Sequence, residues 1–148
     1  MKVKTYGCNH VALQVTEIAL AVAFYSDVFG LKVRHQDADH GFLYLGEHQF
    51  LALSRVDTMP PLHDGHFGLI VRDDAQVREV RRKVTEVYGL TLDDDFRCDF
   101  RDPFGNRVQV VDLHDESLIW LLPYRECQKA DVVFSDHADH GDGWQNEA

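Results

Sequence analysis

A chain of 148 residues accommodates one domain comfortably and two with difficulty, and its 45% hydrophobic and 11% aromatic content is that of a globular protein, neither disordered nor fibrous. A formal net charge of −10 argues against nonspecific binding to nucleic acid or to anionic membranes, both of which need clustered Lys and Arg. No apolar run approaches bilayer length, the first residues lack the apolar core of a secretory signal, and Cys8, Cys98 and Cys127 have no framework spacing, so reduced thiols in a cytoplasmic protein are expected.

Along the chain, Val11, Leu13 and Val15 alternate with His10, Ala12 and Gln14, the period of a half-buried strand. Thr16 offers an N-cap oxygen, Leu20, Phe24 and Val28 recur at helical spacing, and Gly30 stands where a left-handed stop belongs, which predicts a helix over 17–29. Short strands are expected near 31–36, 41–46 and 49–54, and Pro60, Pro61, Asp64 and Gly65 mark 55–65 as a linker.

The series then repeats. His66-Phe-Gly-Leu-Ile-Val71 matches His10-Val-Ala-Leu-Gln-Val15 at an offset of 56 positions. Asp73 or Asp74 caps a second helix with the apolar stripe Val77, Val80, Val84, Val87 and Tyr88, and Gly89-Leu90 closes it as Gly30-Leu31 closes the first. Arg78, Arg81, Arg82 and Lys83 read as its solvated face, and strands near 90–93, 96–101 and 106–112 complete the unit. Agreement of several independent signals on one offset predicts an α+β domain of two βαβββ modules, over about 6–55 and 65–113, within a domain spanning 1–127. A C-terminal helix over about 115–122, stopped by Pro123, and an acidic tail over 128–148 follow. In that tail Lys129 stands against five carboxylates, and Phe134 and Trp144 offer anchors for a partner subunit.

Phe24-Tyr25-x-x-Val28-Phe29-Gly30-Leu31 resembles the first-helix signature of the vicinal oxygen chelate superfamily, the glyoxalase/bleomycin resistance/dioxygenase group, and Asp102-Pro-Phe-Gly-Asn-Arg-Val-Gln-Val110 is similar to its closing hairpin. The resemblance covers about residues 6–113. It implies a glyoxalase-like fold in which the modules form a curled mixed sheet, an open cup holding a metal and a substrate, commonly completed in a homodimer. It also implies metal ligands at His10, His66 and Gln109, from the first strand of each module and the third residue after the hairpin Asn. The residue types suit that chemistry, since two imidazoles and an oxygen donor match a divalent Mn, Fe, Co, Ni or Zn ion with open positions. His10, Ala12 and Gln14 share one strand face, as do His66, Gly68 and Ile70, and the small neighbours leave room for a ligand.

Three departures narrow the chemistry. Gln109 is a neutral oxygen where the family usually has Glu, and Phe50-Leu51-Ala52 offers no carboxylate for the four-ligand glyoxalase I arrangement. Asp99 stands where extradiol dioxygenases carry Tyr, and the distinctive residues of fosfomycin-modifying members are not evident. If the turn sets the usual register, Asp99 faces Gln109 across the hairpin, as a metal ligand, as a general base, or simply as an exposed residue at a sheet edge. Asp99 and Gln109 are thus the candidate catalytic residues. Two functions remain open: a metal-dependent enzyme of lyase or isomerase type acting on a small oxygen-bearing molecule, or a metal-free binding protein of the bleomycin-resistance type. His35, His40, His48, His63 and His114 are expected in solvent, and Cys98, alternating with Asp99, against the helices.

Overall fold

The computed structural model describes residues 1–3, 7–46, 49–93 and 96–112. The first module runs β1 (His10–Val15), α1 (Ile18–Phe29), β2 (Val33–Gln36), β3 (His40–Tyr44) and β4 (Phe50–Arg55). The second repeats it as β5 (His66–Val71), α2 (Asp74–Arg82), β6 (Leu92–Asp93), β7 (Asp99–Arg101) and β8 (Arg107–Asp112). The expected C-terminal helix and acidic tail lie outside the described residues, and among the described ones no helix is long and apolar enough to cross a membrane.

The strands order as β1-β4-β3-β2 and β5-β8-β7-β6, with the first and last strand of each module parallel and the hairpins antiparallel. These are two separate four-stranded sheets, and the expected single curled sheet is not formed. A continuous sheet needs backbone pairing between modules, yet β1 and β5 are both edge strands of their own sheets. Among the described residues β1 is reached from module two by a side chain, Asn106 Nδ2 donating to Gln14 O at 3.0 Å.

Local signals explain most of the elements. Val15 is buried and Val11 and Leu13 half-buried, whereas His10, Ala12 and Gln14 are exposed, as period-2 alternation requires. Gly30 and Gly89 end their helices at φ +67° and +65°, where an L side chain is strained. Asp73 caps α2, its Oδ1 accepting from Gln76 N at 2.9 Å. The α1 cap differs from expectation: Glu17 occupies it without a side-chain bond, and Thr16 lies one position too early. Leu20 is 57% exposed, because the buried stripe runs instead through Ile18, Ala21, Val22, Phe24, Tyr25 and Val28. Val87 is also exposed, since α2 continues into a π turn over Lys83–Val87 whose extra residue rotates it off the stripe.

The modules are joined through α1. Phe24 meets the rings of Tyr88 and Phe100 at 4.8 and 6.3 Å between centroids, and Phe29 meets Phe100 at 6.4 Å. Lys83 is not a solvated residue of α2: it binds the Asp27 backbone carbonyl and carboxylate, at 2.5 and 2.9 Å, beside a bond from Tyr88 OH. Deeper in, Tyr25 OH donates to Asp102 Oδ2 at 2.7 Å. Burial, reinforced by the Asp102 charge, raises the Tyr25 pKa well above the ordinary tyrosine value and keeps the hydroxyl a donor.

Tyr25→Phe leaves packing intact but removes a bond to a buried carboxylate, so it is expected to lower stability by about 2 kcal/mol in urea unfolding, with an unchanged denaturant slope.

Candidate metal and ligand site

Each sheet packs one face on its helix and leaves the other open. On module two the open face is read from the register His66↔Arg107, Gly68↔Gln109 and Ile70↔Val111 between β5 and β8, and Asp99↔Gln109 and Arg101↔Arg107 between β7 and β8. Paired residues point to the same side, so His66, Gly68, Arg107, Gln109 and Asp99 form one patch. Gly68 lies at its centre, and a Cβ added there would meet nothing within 4 Å, so the space in front of Gln109 is unfilled.

Asp99 is 1% exposed, and the reading of it as an exposed edge residue does not hold. Arg107 Nε donates to Oδ1 at 3.0 Å, Arg107 Nη2 to Oδ2 at 2.6 Å, and Gln109 Nε2 to Oδ2 at 2.8 Å. Burial by itself would push the Asp99 carboxyl up. The hydrogen bonds from Arg107 and Gln109 and the Arg107 charge outweigh it and hold the group below the usual carboxylate range.

The two repeat histidines have a common feature. His66 Nδ1 is 3.0 Å from Asp64 O, and His10 Nδ1 is 2.7 Å from Asn9 Oδ1, both oxygens that accept. Each Nδ1 therefore donates, which leaves Nε2 as the ring nitrogen a metal would take, the arrangement that metal-binding histidines use. His10 also stacks on Phe50, with centroids 4.8 Å apart and planes 9° apart.

A cleft of about 620 Å³ runs between the modules, within the range of small-molecule sites. Its walls include Cys8, His10, Phe29, Leu31, Tyr44, Gly68 and Ile70, but neither His66 nor Gln109. Gln14, at the far end of β1, instead meets Asn106 beside Arg107, the register partner of His66. β1 and β5 thus pass in opposite senses, and His10 and His66 are offset along them. Among the described residues no three His, Cys, Asp or Glu side chains gather to hold a metal ion, so a centre here would combine two imidazoles with the Gln109 oxygen. His35 and His40 gather instead on Asp37 at the surface, at 2.9 and 3.6 Å. Cys98 is fully buried, which pushes its thiol up to about 11 and leaves it unreactive. Arg107 was not singled out by sequence reasoning. Its signal was its place two residues before Gln109, on the same strand face as Asp99.

Residues 7–110 match the sequence profile of the Glyoxalase/Bleomycin resistance protein/Dioxygenase superfamily. The chain belongs to that superfamily. No curated protein sequence matches it. Among solved structures it is similar to a possible glyoxalase from Bacillus cereus, at 18% identity and TM-score 0.62 over 72% of this chain and 99% of that one. It is also similar to the lactoylglutathione lyase of Agrobacterium tumefaciens, at 24% identity and TM-score 0.57 over 74% and 95% of the two chains. A third is the fosfomycin resistance protein FosX of Listeria monocytogenes, solved with Mn(II) and sulfate, at 14% identity and TM-score 0.64 over 78% and 97%. At these identities the likeness to the three structures is one of fold. Superfamily membership accounts for the two modules and for the motifs at 24–31 and 102–110.

Removing Arg107 takes from Asp99 both its counter-charge and two of its donors. Arg107→Ala is expected to lower stability in chemical denaturation by more than Asp99→Asn, which removes the anion itself.

Proposed function

We propose that this superfamily member binds a small oxygen-bearing molecule in the inter-module cleft and acts on it as a divalent-metal-dependent enzyme of lyase or isomerase type. The observation that carries the reading is how the donors are held: His10 and His66 each turn Nδ1 to an accepting oxygen and leave Nε2 for a metal, and Gln109 commits its amide nitrogen to Asp99 and keeps its oxygen. This donor set fits a borderline first-row ion (Mn, Fe, Co, Ni or Zn). His66 and Gln109, on one face of the second sheet, would hold it together with a His10 brought up by the second copy of a homodimer, since His10 of the same chain is offset from them along β1. A bound ion would supply Lewis-acid stabilisation of charge developing on the substrate's oxygens. FosX, a relative by fold, was solved with Mn(II), which agrees with metal use.

The chain's own groups do the rest. Gly68 leaves space for the ligand in front of Gln109, while Phe29, Leu31 and Ile70 give the cleft apolar walls that exclude water from a bound molecule. Isomerisation, lyase chemistry, epimerisation and ring cleavage are compatible with these residues in that falling order. Asp99 has both oxygens engaged by donors, so a role beside Gln109 suits it better than direct ligation or proton abstraction. The apolar cleft walls also favour a second reading, a metal-free protein that sequesters the same class of small molecule.

Elemental analysis of protein purified without a His-tag or chelator separates the two. Near-stoichiometric Mn, Fe, Co, Ni or Zn, lost in His10→Ala, is the expected result. Metal-free protein that is nonetheless stabilised thermally by small ligands would favour sequestration. Gly68→Leu fills the space before Gln109 and is expected to abolish binding in either case while leaving the melting temperature within a few degrees of the parent.

A further inference from the structure

We propose that Asp99 is a positioning residue: clamped by Arg107, it turns the Gln109 carboxamide so that Nε2 faces the protein and Oε1 faces the open side of the sheet. The inference rests on the reading of Gln109 as a metal donor and adds how a neutral side chain is made to serve there.

A carboxylate can only accept, so the Gln109 atom 2.8 Å from Asp99 Oδ2 is the amide nitrogen. The amide is planar, and fixing its nitrogen fixes its oxygen on the other side. Unsupported, a glutamine has two nearly isosteric orientations, and the one that presents NH2 cannot ligate a cation. Asp99 removes that choice only if it is itself fixed. Arg107 provides this by bonding both carboxylate oxygens through Nε and Nη2, and at 1% exposure solvent does not compete for them.

The arrangement also accounts for a glutamine where the superfamily resemblance implied a glutamate. A carboxylate at 109 would meet the Asp99 carboxylate at hydrogen-bond distance with no proton between them, whereas an amide meets it as a donor. The acid at 99 and the amide at 109 are a matched pair on facing strands, in the register Asp99↔Gln109.

The test is a double-mutant cycle in Mn(II) binding, with Mn(II) alone titrated into metal-free protein. Asp99→Asn in the parent background is expected to lower affinity roughly 10–100-fold, as loss of a partner that orients a ligand does. In a Gln109→Glu background both terminal atoms at 109 are oxygen, so orientation no longer matters, and Asp99→Asn, which there also relieves the clash of two carboxylates, should not lower affinity. An equal loss in both backgrounds would mean that Asp99 acts through its charge, and no loss in either would mean that it is only structural; both overturn the proposal. Arg107→Lys, which keeps the charge but loses the planar fork, is expected to reproduce the parent-background loss in weaker form.

Failure of the metal reading is read separately, as no Mn(II) binding by the unmutated protein. Positioning is then decided by nitrogen-15 NMR of the metal-free protein, with the Gln109 side-chain amide pair assigned by its absence in Gln109→Glu. A resolved pair that exchanges slowly with solvent, and loses that protection in Asp99→Asn, supports the proposal. A pair indistinguishable from exposed Asn and Gln amides in the unmutated protein overturns it.

Discussion

The carboxylate of Asp102 holds the two halves of the molecule in register. It is 3% exposed and accepts four hydrogen bonds: from Tyr25 OH, from the backbone nitrogens of Phe104 and Asn106, and from Asn106 Nδ2. An ionised carboxylate is costly to bury, and four donors within 3.0 Å are what offset that cost. Two of those bonds close the turn that begins β8, one ties the Asn106 side chain into the same turn, and one reaches α1 in the other module. The position of β8 relative to the first module, and with it that of Arg107 and Gln109, follows from this one group. It also explains why the two motifs that mark the superfamily occur together, since Tyr25 of one bonds directly to Asp102 of the other.

What could be read from the sequence was whatever is decided locally. The repeat, the alternation in β1 and β5, the Asp73 cap and the glycine stops each depend on a few neighbouring residues, and all are found. So is the facing of Asp99 and Gln109, because a five-residue turn leaves the hairpin little freedom of register. What was misread depends on distant partners. Whether two sheets fuse is decided by how their edge strands meet, and nothing within β1 or β5 encodes that. Leu20 has helical spacing but stands outside the buried stripe of α1, and Val87 is displaced by a π turn that apolar periodicity does not reveal. Of the alternatives open for Asp99, the exposed edge falls, because the carboxylate is buried and bonded to Arg107, a partner that emerges once β7 and β8 are paired.

The two modules share a plan but not a surface. Across the open face of the first sheet His10, Phe50, Phe42 and His35 form a row of rings, with successive centroids 4.8, 6.2 and 6.2 Å apart. The equivalent face of the second sheet carries Arg107, Gln109 and Asp99 in a hydrogen-bonded polar cluster, with His66 beside them in register with Arg107. The interior positions, fixed by packing on a helix, stayed apolar in both copies. The outward positions were free to diverge, so one half presents stacking surface and the other presents directed donors and acceptors.

The way α1 is shared between the halves bears on how the protein comes apart. Phe24 and Tyr25 are 1% and 0% exposed, and both have contacts in module two as well as in their own module. Pulling the second module away would bare those rings, orphan the Tyr25 hydroxyl and release Asp27 from Lys83 and Tyr88 together. Neither half is a self-sufficient folding unit, and the pair should open in one cooperative step. A single βαβββ module of this sequence would bare the face of α1 that the second module covers, so the repeat supplies within one chain the cover that an isolated module would have to find in another molecule.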